Sequence, residues 1–318
     1  MKNFTKICLW ISLSFVCVGA VCLGIGAALG SGLKEIWAMA ADGELNVGNL
    51  HIGNWNIPYF ITDDYDDGED WEDVKLQKGY VQEQFSPDAV SGMEIDIRFG
   101  AVYLIDSDSD QIEVTVDAPS RNVYECKLDE GTLELKDKTP GSIWKGGLKR
   151  NHDAAVTIAI PEGTVFDEVS LCTNAGSIEA EHAIAADEVE INLDAGELTA
   201  VSVTAAEKLS ASVGAGNLEV DRFATDHLKI DCGLGKAELT GKAVKEAEAD
   251  CGVGQIILDL EGKETDYDYE IKCGLGSVAV NGEEFSTLAT ERNIDHHAGN
   301  KVRLDCGMGS IELNIMEE

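Results

Sequence analysis

Over the C-terminal two thirds of the chain, apolar and polar residues alternate with a period of two, and the alternation itself recurs. Aligned on a repeated glycine, Gly176, Gly196, Gly216, Gly235, Gly254, Gly276 and Gly309 fall into register at intervals of 20, 20, 19, 19, 22 and 33 residues. The surrounding segments read VSLCTNAGSIEA, VEINLDAGELTA, LSASVGAGNLEV, LKIDCGLGKAEL, AEADCGVGQIIL, YEIKCGLGSVAV and VRLDCGMGSIEL, and Gly100 in IDIRFGAVYL has the form of a degenerate earlier copy. Five residues before each glycine stand Leu171, Ile191, Ala211, Ile230, Ala249, Ile271 and Leu304. Two after it stand Ile178, Leu198, Leu218, Ala237, Ile256, Val278 and Ile311. The positions between are mostly polar, so each unit predicts two short half-buried strands with one dry face.

A unit of 19 or 20 residues cannot bury its own apolar face, whereas stacked copies share one continuous core. The pattern therefore predicts an all-β fold, a parallel β-solenoid of seven or eight coils over residues 91–318. Coils about 4.8 Å apart would give a rod about 35–40 Å long. A propeller blade needs about 40 residues and four strands, which the period excludes. The glycines are expected to be coil corners, for two reasons: they accept positive φ, and they let the neighbouring coil approach closely. The 33-residue interval carries an insertion, Gly282 to Asn300, which reads as a long loop or short excursion before the last coil.

The N-terminal part is different. Ile7 to Leu29 is 23 residues long and carries no charge, enough to span a hydrocarbon core. Ala38-Met39-Ala40 resembles a signal-peptidase site, but the apolar run exceeds the usual length of a cleaved segment, so residues 1–30 read as an uncleaved signal anchor. Lys2 and Lys6 before the span, against Lys34 after it, put the N-terminus in the cytoplasm and the remainder outside the cell membrane. Residues 31–90 read as a linker, with Asn46 to Phe60 able to add a strand. Its acidic core, TDDYDDGEDWED at Thr62–Asp73, holds eight acids in twelve residues and reads as a self-repelling spacer rather than a calcium site.

Charge then narrows the partners. The chain has 24 Lys and Arg against 59 Asp and Glu, a formal net charge of −35. That surplus excludes nucleic acid, whose binding depends on cations meeting phosphates, and disfavours anionic lipid surfaces. Aromatics are only 6 % while glycines number 33, as a narrow core between tight corners requires.

Four places carry candidate chemistry. Cys232, Cys251, Cys273 and Cys306 share one register and should form a buried ladder; a linear stack suits neither tetrahedral metal binding nor disulfide dihedrals, so they read as small hydrophobes. Asp231, Asp250 and Asp305 share an outward position with Lys272, and no arginine stands opposite in the manner of a polysaccharide lyase. Asp106, Asp108 and Asp110 begin like a calcium loop without its glycine and closing glutamate. Asp295, His296 and His297 read as a surface loop. We assign no catalytic, cofactor-binding or metal residue, and we expect no enzyme.

The short basic N-terminus, the span ending in GIGAALG, the acidic linker and the GAG and CGLG corners are similar to the bacterial putative-adhesin family, whose β-strand-repeat domain has no assigned function. IAIPEGTVFDEVSLCTNAGSIEA and RNIDHHAGNKVRLDCGMGSIELNI carry the resemblance most clearly. It implies a β-solenoid at the bacterial cell surface, with some members near envelope-stress systems, and it transfers no catalytic residues. Two functions follow as expectations. One is an adhesion or interaction module reaching an envelope protein or cell-wall polymer through its flat flank or the 282–300 loop. The other is an envelope-stress accessory working through the membrane helix. A polysaccharide-active enzyme ranks below both.

Overall fold

The computed structural model describes residues 46–52, 55–61, 81–117, 124–138, 154–285 and 290–317. Contacts divide the chain into two compact units, Met1–Val74 and Lys75–Glu318. In the first unit β1 (Asn46–Ile52) and β2 (Trp55–Ile61) form an antiparallel hairpin, with Asn46 opposite Ile61 and Ile52 opposite Trp55. The predicted span Ile7–Leu29 and the acidic stretch Thr62–Asp73 lie outside the described residues. No helix among the described residues is long and apolar enough to cross a membrane.

The second unit is all β among its described residues, apart from short 3-10 turns. Its strands are β3 (Val81–Phe85), β4 (Gly92–Ile97), β5 (Ala101–Asp106), β6 (Ile112–Asp117), β7 (Tyr124–Asp129), β8 (Thr132–Asp137) and β9 (Ala155–Ile160). There follow β10 (Phe166–Thr173), β11 (Ser177–Ala180), β12 (Ile184–Leu193), β13 (Glu197–Ala200), β14 (Val203–Val213), β15 (Asn217–Cys232), β16 (Lys236–Cys251) and β17 (Gln255–Glu261). The last are β18 (Tyr267–Cys273), β19 (Ser277–Val280), β20 (Glu283–Glu284), β21 (Thr290–Ile294), β22 (Asn300–Cys306) and β23 (Ser310–Met316). Strand β3 falls within the stretch read as linker, yet it pairs antiparallel with β6, so this unit begins before residue 91.

Parallel pairing stacks the repeats as rungs. The strands leading into each corner follow the order β8, β4, β10, β12, β14, β15, β16, β22, β18. Those leaving it follow β9, β5, β11, β13, β15, β16, β17, β23, β19. A third side, absent from the two-strand reading, pairs Ile184–Ala186 with Val203–Ala205, then Phe223–Thr225, then Gly241–Ala243. Beyond this side the register slips, passing two residues between Ala205 and Lys208 but one between Thr225 and His227. One corner therefore absorbs the change from a 20-residue to a 19-residue period.

Spatial order departs from chain order at both ends. The rung of Cys306 lies between those of Cys251 and Cys273, since β22 pairs with β16 on one side and β18 on the other. At the opposite end β4 and β5 lie between β8–β9 and β10–β11. The insertion at 282–300 is thus no loop before a last outer coil. Its strands β20 and β21 pair antiparallel with β19 and β18, while β7, β6 and β3 take the same role at the other end. Antiparallel strands cap a stack whose open parallel edges would otherwise invite another chain.

The core is the set of columns at fixed offsets from the corner. Leu171, Ile191, Ala211, Ile230, Ala249, Leu304 and Ile271 are all buried, as are the Ile178 to Val278 positions on the trailing strands. Corner glycines are required by proximity rather than backbone angle. A Cβ on Gly216 would lie 2.1 Å from the Gly196 carbonyl oxygen, and on Gly235 2.3 Å from that of Gly216. None of the seven aligned glycines has φ in the left-handed region, which corrects half of the expected reason; Gly100, at φ +98, is the corner that does.

Candidate interaction surface

Outward side chains of the leading strands form a flat, charged flank. Parallel pairing in exact register places like positions on neighbouring rungs, where side chains are close enough to interact. Lys229 lies 3.7 Å from both Asp231 and Glu248. Arg303 contacts Glu246 at 2.9 Å and Glu270 at 3.5 Å, and Glu270 also meets Lys301 at 3.0 Å and Lys272 at 2.8 Å. Hydrogen bonds from Lys272 and then Lys301 hold the Glu270 carboxyl down at about 2. At the far end of the flank Lys136 bridges Glu94 and Glu134 at 3.2 and 3.1 Å.

One row on this flank is not balanced. Asp231, Asp250 and Asp305 stack on consecutive rungs, with Lys272 next. Lys229 pairs with Asp231 and its charge also reaches Asp250, and Lys272 acts on Asp305, but among the described residues no lysine or arginine comes within ion-pair distance of Asp250 or Asp305. Burial, then the neighbouring Glu248 and Asp231, push the Asp250 carboxyl up.

Beside that row runs the corner itself. The residue before each anchor glycine donates its N–H to the rung below: Ala195 to Asn174, Ala215 to Asp194, Leu234 to Gly214, Val253 to Gly233, Met308 to Gly252 and Leu275 to Gly307. These side chains stack along the edge. Leu234, Val253, Met308 and Leu275 are 68, 48, 61 and 69 % exposed. This ridge was missed in the sequence. The legible signal was the substitution of Leu, Val, Leu and Met for Ala between the paired glycines at 234, 253, 275 and 308.

The cysteines face the other way. Cys232, Cys251, Cys306 and Cys273 are free, buried and in register along the inner wall of the corner. Burial, then the neighbouring Cys251, pushes the Cys306 thiol up to about 11. Above the row the same column holds Val213 and Leu193, then Thr173, whose Oγ1 accepts the Gly176 N–H at 2.9 Å.

Other predicted groups stay apart. Asp106 is bonded to His182 Nδ1 at 2.6 Å, while Ser107 and Ser109 brace the turn through Asp108 and Asp110 by their hydroxyls. His182 is 3 % exposed and its Nε2 has no hydrogen-bond partner among the described residues. His296 packs edge-on to Tyr269 with its Nδ1 on the Tyr267 carbonyl, and His297 turns away to an exposed contact with Asp295. No group of three or more His, Cys, Asp or Glu among the described residues is arranged to hold a metal. A recess of about 740 Å³ with a mixed lining, among it Lys242, Val244, Glu261, Lys263, Tyr267 and Asn300, opens where the third side meets the capped end.

Residues 90–298 match the family described as Toastrack DUF4097. Among curated proteins none matches. Solved structures with similar chains include a putative adhesin from Parabacteroides distasonis, at 16 % identity and TM-score 0.38, covering 74 % of this chain and 97 % of that one. A putative cell adhesion protein from Clostridium sporogenes aligns at 14 % identity and TM-score 0.33, covering 76 % of this chain and all of the other. A putative lipid binding protein from Parabacteroides distasonis aligns at 14 % and TM-score 0.36, covering 75 % and 97 %.

Proposed function

This chain belongs to the DUF4097 Toastrack family, and from that premise we propose that it is a non-catalytic interaction module, displayed at a bacterial cell surface by a membrane anchor at Ile7–Leu29 and acting as an adhesin. The observation that carries this reading is the leading flank. Nine strands in parallel register, from β8 to β18, present side chains in straight rows, and the rows are laced by ion pairs such as Arg303–Glu246 and Lys301–Glu270. A regular face of this kind offers the same chemistry at every rung, which suits a long or repetitive partner such as a wall polymer or an envelope protein flank. The buried interior, filled mainly by aliphatic side chains with a few aromatics and the thiols, leaves recognition to the outside.

Two measurements test it. Protease added to intact cells carrying the full chain should digest residues 75–318 while leaving the N-terminal segment membrane-bound. Cells displaying the chain should adhere to sacculi or to partner cells more than cells without it, and reversal of Arg303 and Lys301 to glutamate should change that adhesion. Equal adhesion with and without the chain sinks the proposal.

A further inference from the structure

We propose that the corner ridge of Leu234, Val253, Met308 and Leu275, with the aspartate row beside it, docks a cationic amphipathic helix of a partner protein. The inference rests on the reading of the chain as an interaction module and names the partner's chemistry.

The fold does not need large side chains at these positions. The same corner carries Ala175, Ala195 and Ala215 in three other rungs, where its N–H makes the equivalent bond to the rung below. Four bulky aliphatic side chains nevertheless stand there, on consecutive rungs and about half to two-thirds exposed. A contiguous apolar stripe held in water marks a contact site.

Its spacing selects the form of the partner. Rungs about 4.8 Å apart set four anchors over about 14 Å. On a helix, positions i, i+4, i+7 and i+11 rise about 16 Å at about 1.5 Å per residue, so one apolar stripe can meet all four. Approach is open on the flank side, since the next position inward is glycine in every one of these rungs: Gly233, Gly252, Gly307 and Gly274.

Its charge selects the partner's sign. Beyond the glycine strip lie Asp231, Asp250 and Asp305 on three consecutive rungs, with Lys272 in the fourth; neither Asp250 nor Asp305 has a lysine or arginine at ion-pair distance among the described residues. Lysines or arginines flanking the helix's apolar stripe would meet these carboxylates. A second copy of this chain would bring one aspartate row against another, and an anionic bilayer would be repelled.

The test uses the full chain in phosphatidylcholine nanodiscs and a fluorescein-labelled 18-residue helix of leucine and lysine, with leucine at i, i+4, i+7 and i+11. Anisotropy is read against empty nanodiscs. The variant L234A/M308A/L275A places at each site a residue that the fold already accepts there, and its melting curve checks folding. Binding should weaken at least ten-fold in this variant and in D231N/D250N/D305N, and should vanish when the peptide lysines become glutamates. Undiminished binding by the alanine variant means adsorption by net charge alone and overturns the proposal, as does absence of binding by the wild type. Ridge-dependent self-association in sedimentation, or ridge-dependent partition into vesicles, would identify a second copy or lipid as the occupant and overturn it equally. Cell adhesion that persists in the alanine variant would refute this inference while leaving the proposed function standing.

Discussion

Replacing Gly216 by alanine should destabilise the protein through contact between rungs rather than through backbone conformation. The added Cβ would stand 2.1 Å from the Gly196 carbonyl oxygen, closer than any real Cβ contact. Relief requires the two rungs to separate locally by about 1 Å, because backbone hydrogen bonds fix their spacing. Separation stretches the bond from Asn217 N–H to Gly196 O, now 3.0 Å, and strains that from Ala215 N–H to Asp194 O, now 2.6 Å. Each is worth about 1 kcal/mol, a buried unpaired group costs about 1–3 kcal/mol more, and overpacking adds about 1–3 kcal/mol. The expected loss is about 4–8 kcal/mol, or about 8–32 °C in Tm for a unit of this size. Gly163 provides the comparison. Its φ is +80 and nothing lies within 4 Å of where a Cβ would stand, so alanine there meets only the conformational cost of about 1–2 kcal/mol. Urea unfolding of the full chain, followed by circular dichroism, reads both. A Gly216→Ala protein within 1 kcal/mol of wild type, or less destabilised than Gly163→Ala, would refute the proximity argument.

Three further outcomes follow from the geometry. Leu304→Ala, in the rung held between Cys251 and Cys273, should lose about 2–5 kcal/mol by urea titration, since its buried side chain has rungs on both sides. Thiol titration with a disulfide reagent at pH 8 should leave Cys232, Cys251, Cys273 and Cys306 unreacted until denaturant is added; rapid native reaction would contradict a thiol such as Cys306 raised to about 11. Glu270 and Asp250 should act on stability with opposite sign. The Glu270 carboxyl is depressed from 4.5 to about 2, so its stabilisation is present above about pH 4.5 and disappears as pH falls through about 2; Glu270→Gln should flatten that acid limb of a Tm–pH curve. The Asp250 carboxyl is raised, so its favourable contribution exists at low pH and is lost as pH rises through its folded value; Asp250→Asn should raise Tm at pH 7, and a lowered Tm would contradict the assignment.

The sequence by itself determined what is level with what. The period-two pattern selected the residues that point inward, and the recurrent glycine gave each repeat its register, so that Cys232, Cys251, Cys273 and Cys306 could be placed in one column before any pairing was known. That information is local: each side chain's position within its rung depends on its distance from the nearest corner. Which rung lies on which is not local. Every repeat carries the same pattern of apolar positions around a corner that ends in glycine, so each fits against every other, and chain order offered the simplest stack. The tertiary structure placed the rung of Cys306 inside that of Cys273, and β4–β5 inside β8–β9, because the antiparallel strands β20–β21 and β6–β7 can only close an outermost rung. The same distinction holds for the surface. Alternation said that Asp231, Asp250 and Asp305 face water, but only the stacking order made them neighbours and aligned Leu234, Val253, Met308 and Leu275 into one ridge beside them. The corner glycines show it once more: their need was legible, while its cause, a carbonyl oxygen of the adjacent rung about 2.1–2.7 Å from where a Cβ would be, exists only between strands distant in sequence.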